Sequence, residues 1–148
     1  MPGRVSVELM TALFEPLIGL FRRANAPPTA GVVPPAYLAF RAAVEARLGD
    51  SRNVRDYVAR LGYSERTVNR ACRTATGLSA KQVLDERIVL EAKRLLAHSE
   101  RSVAAVAAAL GFSEATNFNK FFARGVGRLP SEFRRRLRAA GYGPEATD

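Results

Sequence analysis

The sequence predicts an all-α fold: two helix-turn-helix subdomains joined by one long helix, preceded by an N-terminal amphipathic helical segment. Three observations carry this. Apolar residues recur at spacings of three and four along most of the chain. One unit occurs twice: a short helix, then Leu-Gly-aromatic-Ser-Glu, then a second helix closed by glycine. A single unbroken helical pattern lies between the two copies.

Each element has its own reason. Residues 5–25 carry a stripe of Val5, Leu9, Leu13, Leu17, Leu20 and Phe21, with Pro16 kinking or dividing the helix. "NAPPTAGVVPP", residues 25–35, holds four prolines and a glycine and reads as a linker, so 1–34 forms an N-terminal helix plus Pro-rich linker. Helix resumes at Pro35, a good first-turn residue, with Tyr37, Phe40, Val44 and Leu48 on one face up to Gly49. The first helix-turn-helix covers about 54–77, "VRDYVARLGYSERTVNRACRTATG". The second covers about 102–127 and contains "VAAVAAALGFSEATNFNKFFARGVG". Gly62 matches Gly111 and Ser64 matches Ser113, 49 residues on. The glycines suit a positive φ where the first helix stops, and both serines are expected N-caps. The connecting helix, 79–99, has Ser79 as its cap and Val83, Leu84, Ile88, Ala92, Leu95 and Leu96 as its core face. Pro130 and Ser131 open a final helix over 131–140, and 143–148 is a tail.

Composition narrows the partners. The 148 residues are 47 % apolar, enough for a packed core, and carry a net charge of +9. Residues 1–50 hold five Arg and four acids, whereas residues 51–148 hold eighteen cations and ten acids, so the excess lies in the later part. Only three cations are lysine; arginine dominates, the side chain whose fork fits phosphate or guanine. An acidic polymer or an anionic surface is the partner this charge favours. One cysteine makes no internal disulfide, which suits a reducing cytoplasm. No apolar run reaches a membrane span, so no membrane partner is expected. No nucleophile–base set, phosphate loop or metal-ligand spacing is present, so neither catalytic nor metal residues nor a cofactor is expected. Cys72 reads as a small core residue, and His98 as a cation helping a helix C-terminus.

The two second helices each divide into an apolar and a polar face. In the first unit Val68, Ala71 and Cys72 face inward, leaving Arg66, Asn69, Arg70 and Arg73 outward. In the second, Phe118, Phe121 and Phe122 are core, leaving Ala115, Thr116, Asn119 and Lys120 outward and Asn117 at the margin. Arg reads guanine and Asn reads adenine with paired bonds, so both outward faces suit base edges. Arg73, Lys81, Arg134 and Arg135 are expected on phosphates.

Tandem units at this spacing, with "RIVLEAKRLL" between them and "GFS", Phe-Phe, glycine and Pro130 in order in the second, resemble the C-terminal domain of the AraC/XylS family of bacterial transcription regulators. The likeness covers about residues 36–138, within a domain drawn at 35–142. It implies a sequence-specific regulator that binds double-stranded DNA, not an enzyme, with base contacts at 66, 69 and 70 and at 115, 116, 119 and 120. The chain departs from the family pattern at Val58, Ala71, Cys72 and Ala123. No strand pattern in residues 1–35 corresponds to the family's β-barrel sensor. The expected site is asymmetric, because the two units differ. The rival reading is a helical protein-interaction adaptor with only non-specific DNA affinity. RNA polymerase is a second candidate partner. The stripe in residues 5–25 is expected to form a homodimer seam, with packing on the Tyr37 helix as the competing outcome.

Overall fold

The computed structural model describes residues 31–144, and all regular structure among them is helical apart from one isolated bridge between Leu48 and Ser51. The helices are α1 (Pro35–Ala46), α2 (Val54–Val58), α3 (Glu65–Thr76), α4 (Ala80–His98), α5 (Val103–Ala109), α6 (Ala115–Val126) and α7 (Pro130–Ala139). The stripe of residues 5–25 and the dimer seam expected there lie outside the described residues.

The long helix α4 organises the rest. Its 19 residues span about 28 Å. A reciprocal capping box opens it: Gln82 N donates to Ser79 Oγ (3.2 Å), and Ser79 N donates to Gln82 Oε1 (2.9 Å). Ala80, Leu84, Ile88, Ala92 and Leu96 recur every four residues and are all buried. This stripe meets α2 and α3 near the helix start and α5, α6 and α7 further along. One continuous core therefore serves two subdomains, α1–α3 and α5–α7.

The two subdomains fill their interiors differently. In the second, Phe112 packs 5.2 Å from both Phe118 and Phe121, and Phe122 lies 5.5 Å from Phe133 of α7. In the first, the matching interior residues Val68, Ala71 and Cys72 are small. The volume is supplied by α1, whose Phe40 is fully buried and meets Tyr57 edge-on at 6.5 Å. Arg87 of α4 fastens α1 from outside through a forked ion pair to Glu45 (2.6 and 3.1 Å). That pairing holds the Arg87 pKa above its usual value, and Arg94 holds the Glu91 carboxyl below the usual carboxylate range.

Candidate nucleic-acid interface

The second helices of the two units, α3 and α6, are both 12 residues long and follow turns at Gly62 (φ 72°) and Gly111 (φ 84°). Their starts differ. Ser64 caps α3, accepting from Thr67 N at 3.1 Å. Ser113 does not cap α6, which corrects the expectation: Glu114 occupies the N-cap and makes no side-chain cap bond. The second turn is one residue longer. The offset between units is thus 49 at the glycines and 50 along the second helices, where Val68, Ala71 and Cys72 correspond to Phe118, Phe121 and Phe122.

This register assigns the outward positions. Arg66 corresponds to Thr116 and Arg70 to Lys120, and all four are exposed. Arg73 is exposed, Ala115 is half-buried, and Asn117 is exposed rather than marginal. Arg66, Arg70, Arg73 and Lys120 make no ion pair with another described residue, whereas α4 pairs Arg87, Glu91 and Arg94 among themselves. Unpaired cations on the outward faces of α3 and α6 leave positive charge free for an anionic partner. Arg124 was missed by the sequence reading. It is exposed four residues beyond Lys120, on the same helix face, and that spacing was the available signal.

The fold gives three of the expected contact residues, Asn69, Arg134 and Lys81, a partner within the chain. Asn69 is half-buried and its Oδ1 accepts the Ala80 N–H at 3.0 Å, holding the start of α4. That oxygen already accepts one backbone bond. Asn119, its counterpart, is also half-buried, and its Oδ1 is buried with no hydrogen-bond partner. Ala80 and Pro130 are the first residues of the helices that follow, and proline has no N–H to offer. Arg134 is half-buried on α7, and its Nε donates to Leu96 O at 3.1 Å near the end of α4. Burial and nearby Arg138 push its pKa down, and the bond to Leu96 ties α7 to the end of α4. Lys81 is exposed but its Nζ sits 2.5 Å from Asp85, which offsets its charge. Arg135 is exposed.

Cys72 is fully buried, and desolvation raises its thiol pKa to about 11. It is an inert packing residue at neutral pH. Among the described residues no His, Cys, Asp or Glu cluster could hold a metal ion, and no helix is long and apolar enough to cross a membrane.

The family model of a helix-turn-helix domain matches residues 57–136, more than half of the chain. The chain belongs to the AraC/XylS-type helix-turn-helix family. Among AraC/XylS-type relatives, it is similar to the HTH-type transcriptional activator RhaR of Klebsiella pneumoniae, 34 % identical over 79 residues that cover 53 % of this chain and 28 % of RhaR. It is 35 % identical over 75 residues to the HTH-type transcriptional activator RhaS of Escherichia fergusonii, covering 51 % of this chain and 27 % of RhaS. The chain thus spans little more than a quarter of these relatives. The crystal structure of the DNA-binding domain of AdpA in complex with a target DNA aligns with TM-score 0.60 and 33 % identity, over 68 % of this chain and 94 % of that one. An AraC-type regulator from Chromobacterium violaceum aligns with TM-score 0.63 at 21 % identity, over 70 % and 92 %, a likeness of fold.

Proposed function

We propose that this chain is a sequence-selective transcription regulator that lays α3 and α6 into successive major-groove segments on one side of a DNA duplex. The observation that carries the reading is the pair Arg66 and Arg70: exposed, four residues apart, unpaired, and on the helix that follows the turn in a chain of this family. Each guanidinium can donate two bonds to guanine O6 and N7. Lys120 and Thr116 present the matching positions of α6, with the Ala115 methyl suited to a thymine methyl. Arg73, Arg124 and Arg135, and more weakly Lys81, supply phosphate contacts that fix register without reading sequence. The net +8 of residues 51–148 makes such binding strongly salt-dependent. The two heads differ, so one chain reads an asymmetric site. Work of this kind takes place in the cytoplasm, at the chromosome. Recruitment of RNA polymerase and self-association through residues 5–25 rest on the sequence alone.

The test is selection of binding sites from random duplexes, followed by substitution. Arg66→Ala should cost about 1–3 kcal/mol on the selected site and relax preference at one end of it. Lys120→Ala should act at the other end, and Arg135→Ala should weaken all sequences alike. Equal loss on selected and random DNA for Arg66→Ala would remove the α3 face from base reading.

A further inference from the structure

The α1–α2 loop, residues 47–53, belongs to the first unit yet rests on the second. It is fastened at home. The Tyr57 hydroxyl lies 2.6 Å from Ser51 O and 3.2 Å from Arg47 O, Asn53 N donates to Ser51 Oγ at 3.0 Å, and Ser51 Oγ donates to the Asp56 carboxylate. From this base Gly49 and Arg52 reach across. The Arg52 guanidinium carbon sits 3.8 Å from the centre of the Phe112 ring and 5.2 Å from that of Phe121, which is on α6 itself. Arg52 Nε is buried with no hydrogen-bond acceptor, so ring stacking holds the side chain. Beside it the two backbones nearly touch. A Cβ on Gly49 would fall 2.3 Å from Ala109 O, and one on Gly111 would fall 2.8 Å from Gly49 O. Gly62, the equivalent turn glycine of the first unit, would meet nothing within 4 Å. The close approach is therefore not a demand of the helix-turn-helix turn. It is an added contact between units.

We propose that this loop is a latch that fixes the angle between the two heads, and that Arg52 is a positioning residue setting how many base pairs separate the segments one chain reads. The proposal rests on the two-headed reading above. The helix α4 joins the units along one line, and a second attachment near the turn of α6 fixes the angle between them about that line. One base pair added between the segments moves the second by about 3.4 Å along the duplex and about 35° around it. A latched pair of heads cannot follow both changes. An unlatched pair follows them in part.

The experiment uses the full chain on its selected site and on versions with one base pair inserted or removed between the two segments. The unsubstituted protein should lose affinity on the order of tenfold or more at either altered spacing, the effect of a lost base contact. Arg52→Ala should stay folded by helical circular dichroism and bind all three spacings within about threefold, as for a loss of alignment rather than of a base contact. Gly49→Ala, which wedges the backbones apart, should do the same. Gly62→Ala, with a similar positive φ but open space around it, should keep the spacing preference. The latch is overturned if folded Arg52→Ala and Gly49→Ala retain the full spacing penalty while selective binding persists. If the unsubstituted protein selects no site, the two-headed reading falls and the latch with it; if it selects a site but binds all three spacings alike, the latch alone falls.

Discussion

Residue 72 is a cysteine and residue 122, its counterpart in the second unit, is a phenylalanine; both are fully buried. Around Cys72 the interior of the first unit is completed by Phe40 and Tyr57, drawn from α1 and α2. Around Phe122 it is completed by aromatics of the unit itself and by Phe133 from α7. Two helix-turn-helix units of nearly the same length thus reach full burial with different residues. The first has small side chains on α3 with Phe40 and Tyr57 as the rings, and the second has a run of phenylalanines on α6. The glycine turn and the helix that follows define the plan, and close packing can be met by whichever neighbour supplies the missing volume.

If that account is right, the two positions differ in what truncation removes. Phe122→Ala deletes a ring that meets Phe118 and Phe133 and should cost about 3–5 kcal/mol of unfolding free energy. Cys72→Ala deletes one sulfur and should cost about 1 kcal/mol. Urea denaturation followed by helical circular dichroism measures both, and comparable losses would mean that the first unit depends on its own core as much as the second does.

The same comparison shows what the sequence makes legible. Periodicity and end signals locate the helices because they are local: Ser79 opens α4, Pro35 and Pro130 open α1 and α7, and the Phe118–Phe121–Phe122 stripe marks the buried face of α6. Repeated Ser-Glu pairs at 64–65 and 113–114 hid the extra turn residue, although the apolar stripes alone, aligned Val68 to Phe118, show the offset of 50. Asn69 and Asn119 lie at the boundary between faces, where helical angle does not say inward or outward. The partner that decides Asn69 is a backbone N–H 11 residues further along. Arg134 is decided by a carbonyl 38 residues away, and Arg52 by rings about 60–70 residues on; such contacts come from tertiary packing and leave no local pattern.

Alkaline pH offers a second, somewhat smaller separation of the units. Burial raises the Cys72 thiol to about 11, above its ordinary value of 9.0. An acid whose folded pKa is raised contributes full stability below its unfolded pKa. Above it the unfolded chain loses its proton first, so stability falls as pH climbs from about 9 to 11. The loss should total roughly 2–3 kcal/mol, two pKa units' worth. Tyr57, whose pKa is also raised, and Lys93, whose pKa is lowered and which acts in the opposite sense, titrate nearby. Both are common to the parent and to Cys72→Ala, so the difference between the two proteins isolates the thiol. Parallel curves for both across this range would show that the first unit admits water at Cys72. Phe122, at the same place in the second unit, has nothing to titrate.

The smallest difference concerns the paired asparagines and tests the register itself. Asn69→Ala strands the Ala80 N–H at the head of α4 and should cost about 1–2 kcal/mol, as loss of a helix cap does. Asn119→Ala removes an oxygen that already lacks a partner, and the better helix propensity of alanine should leave stability unchanged or raised by about 0.5 kcal/mol. The cause assigned to this contrast is the missing N–H of Pro130, which can be restored. In a Pro130→Ala background the backbone gains a donor at the position equivalent to Ala80, and Asn119→Ala should then cost about 1 kcal/mol more than it does in the parent. The double-mutant cycle cancels whatever Pro130→Ala does to α7 alone and reads only the coupling between the two sites. A coupling near zero would mean that Asn119 does not face the start of α7 as Asn69 faces the start of α4, and the 50-residue correspondence would end before the second helix does.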